Sequence, residues 1–111
     1  EQQCQQLYHS WGIRIPDINC SYLTSAVGVV YGTSQKLAIR KEILQTVSEQ
    51  YGVSVSAVDS GIRRMIDQLE AKPAEGWTQF KAESGFEAEK PTTGKLIYAI
   101  KRYLIQQKSR E

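Results

Sequence analysis

Apolar residues recur every three or four positions along most of this chain, the spacing of one face of an α-helix. Leu7 and Trp11 share a face of a glutamine-rich opening helix, Glu1–Trp11, which Gly12 ends in the left-handed conformation. Pro16 and Asp17 mark a turn. Asn19 is the expected cap of a second helix, Cys20–Tyr31, with Leu23, Ala26, Val27 and Val30 turned inward and Gly32 closing it. Ser34 is the expected cap of a third helix, Gln35–Tyr51, burying Leu37, Ile43, Leu44 and Val47. After Gly52 the pattern restarts. Ser54 caps a fourth helix that reaches Ala71 and buries Val58, Ile62, Met65, Ile66 and Leu69. Val53, Val55 and Val58 also fit a short strand, but from Val58 onward the stripe keeps helical spacing for about three turns. Pro73–Gly76 is a break. Trp77–Ala82 reads as a short helix with Trp77 and Phe80 on one side, and Ser84–Pro91 as a charged loop. Thr92 or Thr93 caps the last helix, which carries Leu96, Ile97, Ile100, Tyr103 and Leu104. The predicted fold is an all-α bundle of five or six helices containing a helix-turn-helix.

The chain has 111 residues, of which 41% are hydrophobic, enough for one domain with its own core. It begins on glutamate, which implies a start inside a longer protein or after processing. It has neither a secretory signal nor an apolar run of bilayer length, so a cytoplasmic protein away from membranes is expected. Cys4 and Cys20 lack metal-ligand spacing, and the single histidine, His9, does not complete a set. Their spacing allows a disulfide. A domain of this size needs no such staple, and two reduced thiols in a reducing cytoplasm are the favoured reading.

Catalytic constellations are equally sparse. His9 has no nucleophile at a familiar spacing, and Glu83, Glu87 and Glu89 read as a solvated loop surface. Gly12, Gly28 and Gly32 do not make a phosphate cradle, and the basic last helix reads as packed on the bundle rather than on a membrane. Neither an enzyme nor a cofactor is expected.

Charge changes the picture through its distribution. The net charge is only +2, from 14 basic and 12 acidic side chains. Arg63 and Arg64 are adjacent, however, and Lys95, Lys101, Arg102, Lys108 and Arg110 crowd the last helix. Clusters of this kind fit phosphate or an acidic protein. The chemistry concentrates where a helix ending at Tyr51, the turn Gly52-Val53-Ser54 and a second amphipathic helix follow one another, the layout of a helix-turn-helix. The second helix would face outward with Ser56, Ser60, Arg63 and Asp67, flanked by Ala57 and Arg64. Arginine there can read guanine in the major groove, and serine can serve phosphate or base. The candidate DNA-binding residues are Ser54, Ser56, Ala57, Asp59, Ser60, Arg63 and Arg64.

Three stretches together resemble the C-terminal effector domain of the sporulation response regulator, the stage zero sporulation protein A family. They are Gly12-Ile13 through Tyr22-Leu23 to Val30-Tyr31, then Tyr51, Ser56, Val58, Gly61-Ile62-Arg63 and Asp67, and finally Lys90-Pro91-Thr92. Their order spans nearly the whole chain. The resemblance implies a six-helix domain without a wing, occupying residues 1–111, with 1–11 as a first helix derived from an interdomain linker. It also implies an N-terminal receiver domain whose phosphorylation controls binding to double-stranded DNA. Head-to-tail homodimers on tandem sites and contact with the sigma subunit of RNA polymerase belong to the same implication. The chain departs from the family where Ala57 and Ser60 replace arginines, Asp59 replaces a glutamate and Arg64 a histidine. Residues 75–86 match poorly, so no residue here is assigned to a sigma contact.

Two functions follow from these residues. Arg63, Arg64 and the basic last helix favour a DNA-binding transcriptional regulator. Ala57, Ser60, Asp59 and Asp67 favour the alternative, a helical protein-interaction module that kept the fold and lost DNA reading.

Overall fold

The computed structural model describes residues 2–13 and 17–110. Among them are six α-helices and no strand: α1 Gln2–Ser10, α2 Ile18–Tyr31, α3 Gln45–Tyr51, α4 Val55–Ala71, α5 Glu75–Glu83 and α6 Thr93–Arg110. A π-helical turn, Ile39–Leu44, runs directly into α3. The expected all-α bundle is therefore the fold.

Local signals account for most helix ends. Gly12 terminates α1 at φ 89°, as its lack of a Cβ permits. The turn expected at Pro16 falls outside the described residues. Helix α2 begins earlier than expected, and its cap is Asp17 rather than Asn19. The Asp17 carboxylate accepts the amides of Asn19 at 3.0 Å and Cys20 at 3.2 Å. Asn19 instead lies inside the helix and is buried. Thr92 caps α6, its hydroxyl accepting the Lys95 amide at 3.3 Å.

The third helix is the main departure. Residues 35–38 are not helical, so Ser34 caps nothing there. The reason is tertiary. The Leu37 amide donates to the Tyr98 hydroxyl at 2.9 Å, and that hydroxyl donates back to the Leu37 carbonyl at 3.3 Å. The Ala38 amide donates to the Glu42 carboxylate at 3.1 Å. Side chains therefore take the backbone groups that a helix would have paired internally, and Leu37 is only half-buried.

Between α3 and α4 the chain turns at Gly52, which is left-handed at φ 67° and ψ 34°. Ser54 then caps α4 by accepting the Ala57 amide at 3.0 Å. A Cβ on Gly52 would meet nothing within 4 Å, so substitution there costs backbone energy alone. Gly52→Val is expected to lower stability by about 1–2 kcal/mol in chemical denaturation, with Gly52→Asn milder because asparagine tolerates this conformation. An unchanged midpoint for the valine variant would contradict the turn.

One contiguous core joins the helices. Helix α2 packs on α4 and α6, and α4 also packs on α3. The expected stripe of α4 (Val58, Ile62, Met65, Ile66 and Leu69) is buried throughout. An aromatic cluster links α1 to α5, with Trp11 edge-on to Trp77 at 4.8 Å and tilted against Phe80 at 5.0 Å. Here α5 passes so close to α1 that a Cβ on Gly76 would fall on the Ser10 carbonyl oxygen.

Beneath this cluster Glu70 accepts from Trp77 Nε1 at 2.9 Å and from the buried Lys81 ammonium at 2.7 Å. Burial pushes the Glu70 carboxyl up, but the hydrogen bonds from Lys81 and Trp77 outweigh it, and the net shift is downward. A lowered folded value means this contribution is present above the ordinary carboxylate range and fades as pH falls through the lowered one. Cys4 and Cys20 are both buried and not joined by a disulfide. Burial pushes the Cys20 thiol up, away from the reactive thiolate. Among the described residues no helix is long and apolar enough to cross a membrane.

Candidate nucleic-acid interface

The buried stripe of α4 fixes which residues face solvent. At about 100° per residue the opposite face collects Ser56, Ser60, Arg63 and Asp67, with Ala57 and Arg64 beside them. All six are exposed, as is the capping Ser54. Because Ser54 both ends the turn and holds the first α4 amides, the start of this face is set by local geometry.

Asp59 is a correction to the candidate DNA-binding residues, since it does not share their exposed face. The residue is only 9% exposed, and its carboxylate is engaged from three elements. Arg40 Nη1, in the π-helical turn, approaches Oδ2 at 3.0 Å. Arg63 Nε, one helical turn on, approaches Oδ1 at 3.3 Å. The Thr93 hydroxyl at the head of α6 donates to Oδ1 at 3.3 Å. The heads of α6 and of the π-helical turn converge on Asp59 and close over it. Its carboxylate orients cations rather than meeting a ligand.

This arrangement shapes Arg63. Its side chain remains 70% exposed while Asp59 holds Nε. A guanidinium has two further Nη groups, and such groups can form a bidentate pair with O6 and N7 of guanine. Arg40, with its side chain 57% exposed, shares the same carboxylate and stands beside Arg63. Lys90 forms an ion pair with Asp67, so the acidic end of the face is neutralised by the loop before α6. Arg64 is exposed and has no ion pair among the described residues. A cleft of about 590 Å³ runs along this side of α4, lined by Arg40, Asp59, Arg63, Asp67, Lys90 and Thr93 among others.

The structure thus brings Arg63, Arg64 and the three serines to one surface and withdraws Asp59 from it. It adds Arg40, Lys90 and Thr93. The Asp59–Arg63 pair was readable as an i, i+4 pair of opposite charge. Arg40 and Thr93 approach Asp59 only through tertiary packing and carried no local signal.

No family model, no curated protein and no solved structure matches the chain.

Proposed function

We propose that this chain is a sequence-reading DNA-binding domain in which α4 enters the major groove. The observation that carries this reading is the two-sided character of α4. Five apolar residues bury one face, and the other presents serines and two arginines directly after a three-residue turn. A helix of this kind has the width and the donors for B-form DNA. Arg63, held at Nε by Asp59, is the base reader. Arg64, Ser56 and Ser60 serve phosphate or neighbouring bases, and Ala57 offers only an apolar contact, suited to a thymine methyl. The resemblance to the sporulation effector family extends the proposal to the output domain of a phosphorylation-controlled response regulator.

Selection of bound sequences from a random duplex pool, followed by titration of variants, tests it. Arg63→Ala is expected to weaken binding by about 1–3 kcal/mol and to relax preference at one base position. A loss uniform across sequences, with a shallower salt dependence, would assign Arg63 to phosphate instead. Because Ala57 and Ser60 stand where the family has arginines, Ala57→Arg should sharpen preference for a family-like site.

A second reading is favoured by the acidic residues. Asp59 and Asp67 neutralise much of the positive charge on this face, as a module that binds protein rather than DNA would require. If Arg63→Ala and Arg64→Ala both leave affinity for duplex DNA unchanged at low salt, with the fold intact, this second reading replaces the first.

A further inference from the structure

On α4 Arg63 shares the Asp59 carboxylate and Arg64 has no ion pair among the described residues, and a second group of unpaired cations lies on another face. A groove of about 750 Å³ runs between residues 34–39 and the first turns of α6. Lys36, Lys95, Lys101 and Arg102 line it, and no Asp or Glu does. Among the described residues none of these four forms an ion pair.

The groove has a fixed wall. Tyr98 holds both backbone groups of Leu37, and Lys101 Nζ donates to the Thr33 carbonyl at 2.8 Å. Ile39 seats on Gly94, where a Cβ would come within 2.7 Å of its Cδ1. The loop is therefore clamped along α6 rather than free to fold over the lysines. This groove is also continuous with the α4 cleft, since Ile39, Thr92 and Gly94 line both. The hydrogen bond from Thr93 to Asp59 ties the head of α6 to the middle of α4.

We infer that this groove holds the phosphate backbone of the duplex flanking the segment read by α4, with Lys36, Lys95 and Arg102 as the contacts. The inference rests on the DNA-binding reading of α4 and adds a second, sequence-independent half to the footprint. Charge complementarity selects the occupant: a row of cations without ion pairs, beside a base-reading helix, matches a polyphosphate strand. Lys101 is tied to Thr33 and serves the wall. The consequence is a division of labour in which α4 supplies preference and the groove supplies most of the salt-dependent affinity.

The triple variant Lys36→Ala/Lys95→Ala/Arg102→Ala tests this beside Arg63→Ala, on a selected duplex and on one of random sequence. All three residues are exposed and form no ion pair, so the melting temperature should hold. Each phosphate that is no longer neutralised makes the slope of log affinity against log salt shallower by about 0.9, so the triple variant should lose about 2–3 of slope with base preference unchanged. Between about 50 and 200 mM salt, wild-type affinity should then fall roughly 15–60-fold more than that of the variant. If the triple variant unfolds, Lys36→Ala and Lys95→Ala alone should each remove about 0.9 of slope. An unchanged slope, with Arg63→Ala still losing preference, overturns the groove and leaves the reading of α4 standing. A flattened slope, with Arg63→Ala and Arg64→Ala silent, supports the groove and overturns the reading of α4. A wild-type chain that binds no duplex even at low salt overturns both.

Discussion

Trp77→Ala is expected to cost about 3–5 kcal/mol, a large part of the total stability of an ordinary small domain. The indole is fully buried between α1 and α5, edge-on to Trp11, with Phe80 beside it. Truncation would empty the centre of that cluster and remove a hydrogen bond to Glu70. The Lys81 ammonium lies 5.9 Å from the indole centroid and would lose that partner while keeping Glu70. Trp77→Phe separates the contributions. It restores most of the apolar volume but not the N–H donor, and about 1–2 kcal/mol should remain lost. Urea denaturation of the three proteins measures both steps. Equal stability of Trp77→Phe and Trp77→Ala would show that volume contributes little there, contrary to the packing described.

Ile62→Ala should cost about 2–5 kcal/mol, because Ile62 is fully buried at the middle of the α4 stripe. Its place in the chain gives the measurement a second meaning. Ile62 and Arg63 are neighbours about 100° apart on one helix, the first fully buried and the second exposed, so together they report on which side of α4 is the core side. Ile62→Ala should therefore move the denaturation midpoint strongly, whereas Arg63→Ala should move it little. Asp59 keeps Arg40 and Thr93 when Arg63 is removed, and an exposed i, i+4 pair is worth only a few tenths of a kcal/mol. Near-neutral Ile62→Ala together with a destabilising Arg63→Ala would mean that the faces of α4 are exchanged.

Helix α4 was legible in the sequence because everything that defines it is local. Gly52 supplies the left-handed turn, Ser54 the cap and five apolar residues the buried face. Elsewhere the outcome depended on distant residues. Asp17 and Asn19 are both good capping types two positions apart, and the structure gives the capping bonds to Asp17. Asn19 lies against Gly61, where a Cβ would come within 3.2 Å of the Asn19 Cγ, so this asparagine belongs to the contact between α2 and α4. Residues 35–38 carry no helix-breaking composition. They are not helical, and Tyr98, 61 positions away from Leu37, takes the Leu37 amide and carbonyl. The candidate site shows the same division. The exposure of Ser56, Ser60, Arg63 and Arg64 followed from periodicity, whereas the burial of Asp59 followed from where α6 begins. Three of the four groove cations were visible as a basic cluster at the C-terminal end, but Lys36 joined them only through the loop that Tyr98 pins.

The crossing of α1 and α5 has a consequence for how such a sequence could drift. At Gly61 the obstructing groups are side chains, those of Asn19 and Tyr22, so a larger residue there could be accepted by changes at positions 19 and 22. At Gly76 the obstruction is the Ser10 carbonyl, which every amino acid carries. No exchange at position 10 relieves it, and any side chain at 76 must push the two helices apart. Position 76 is thus closed to gradual substitution. A lineage that lost this glycine would have to reseat its first helix before it could vary the aromatic cluster behind it.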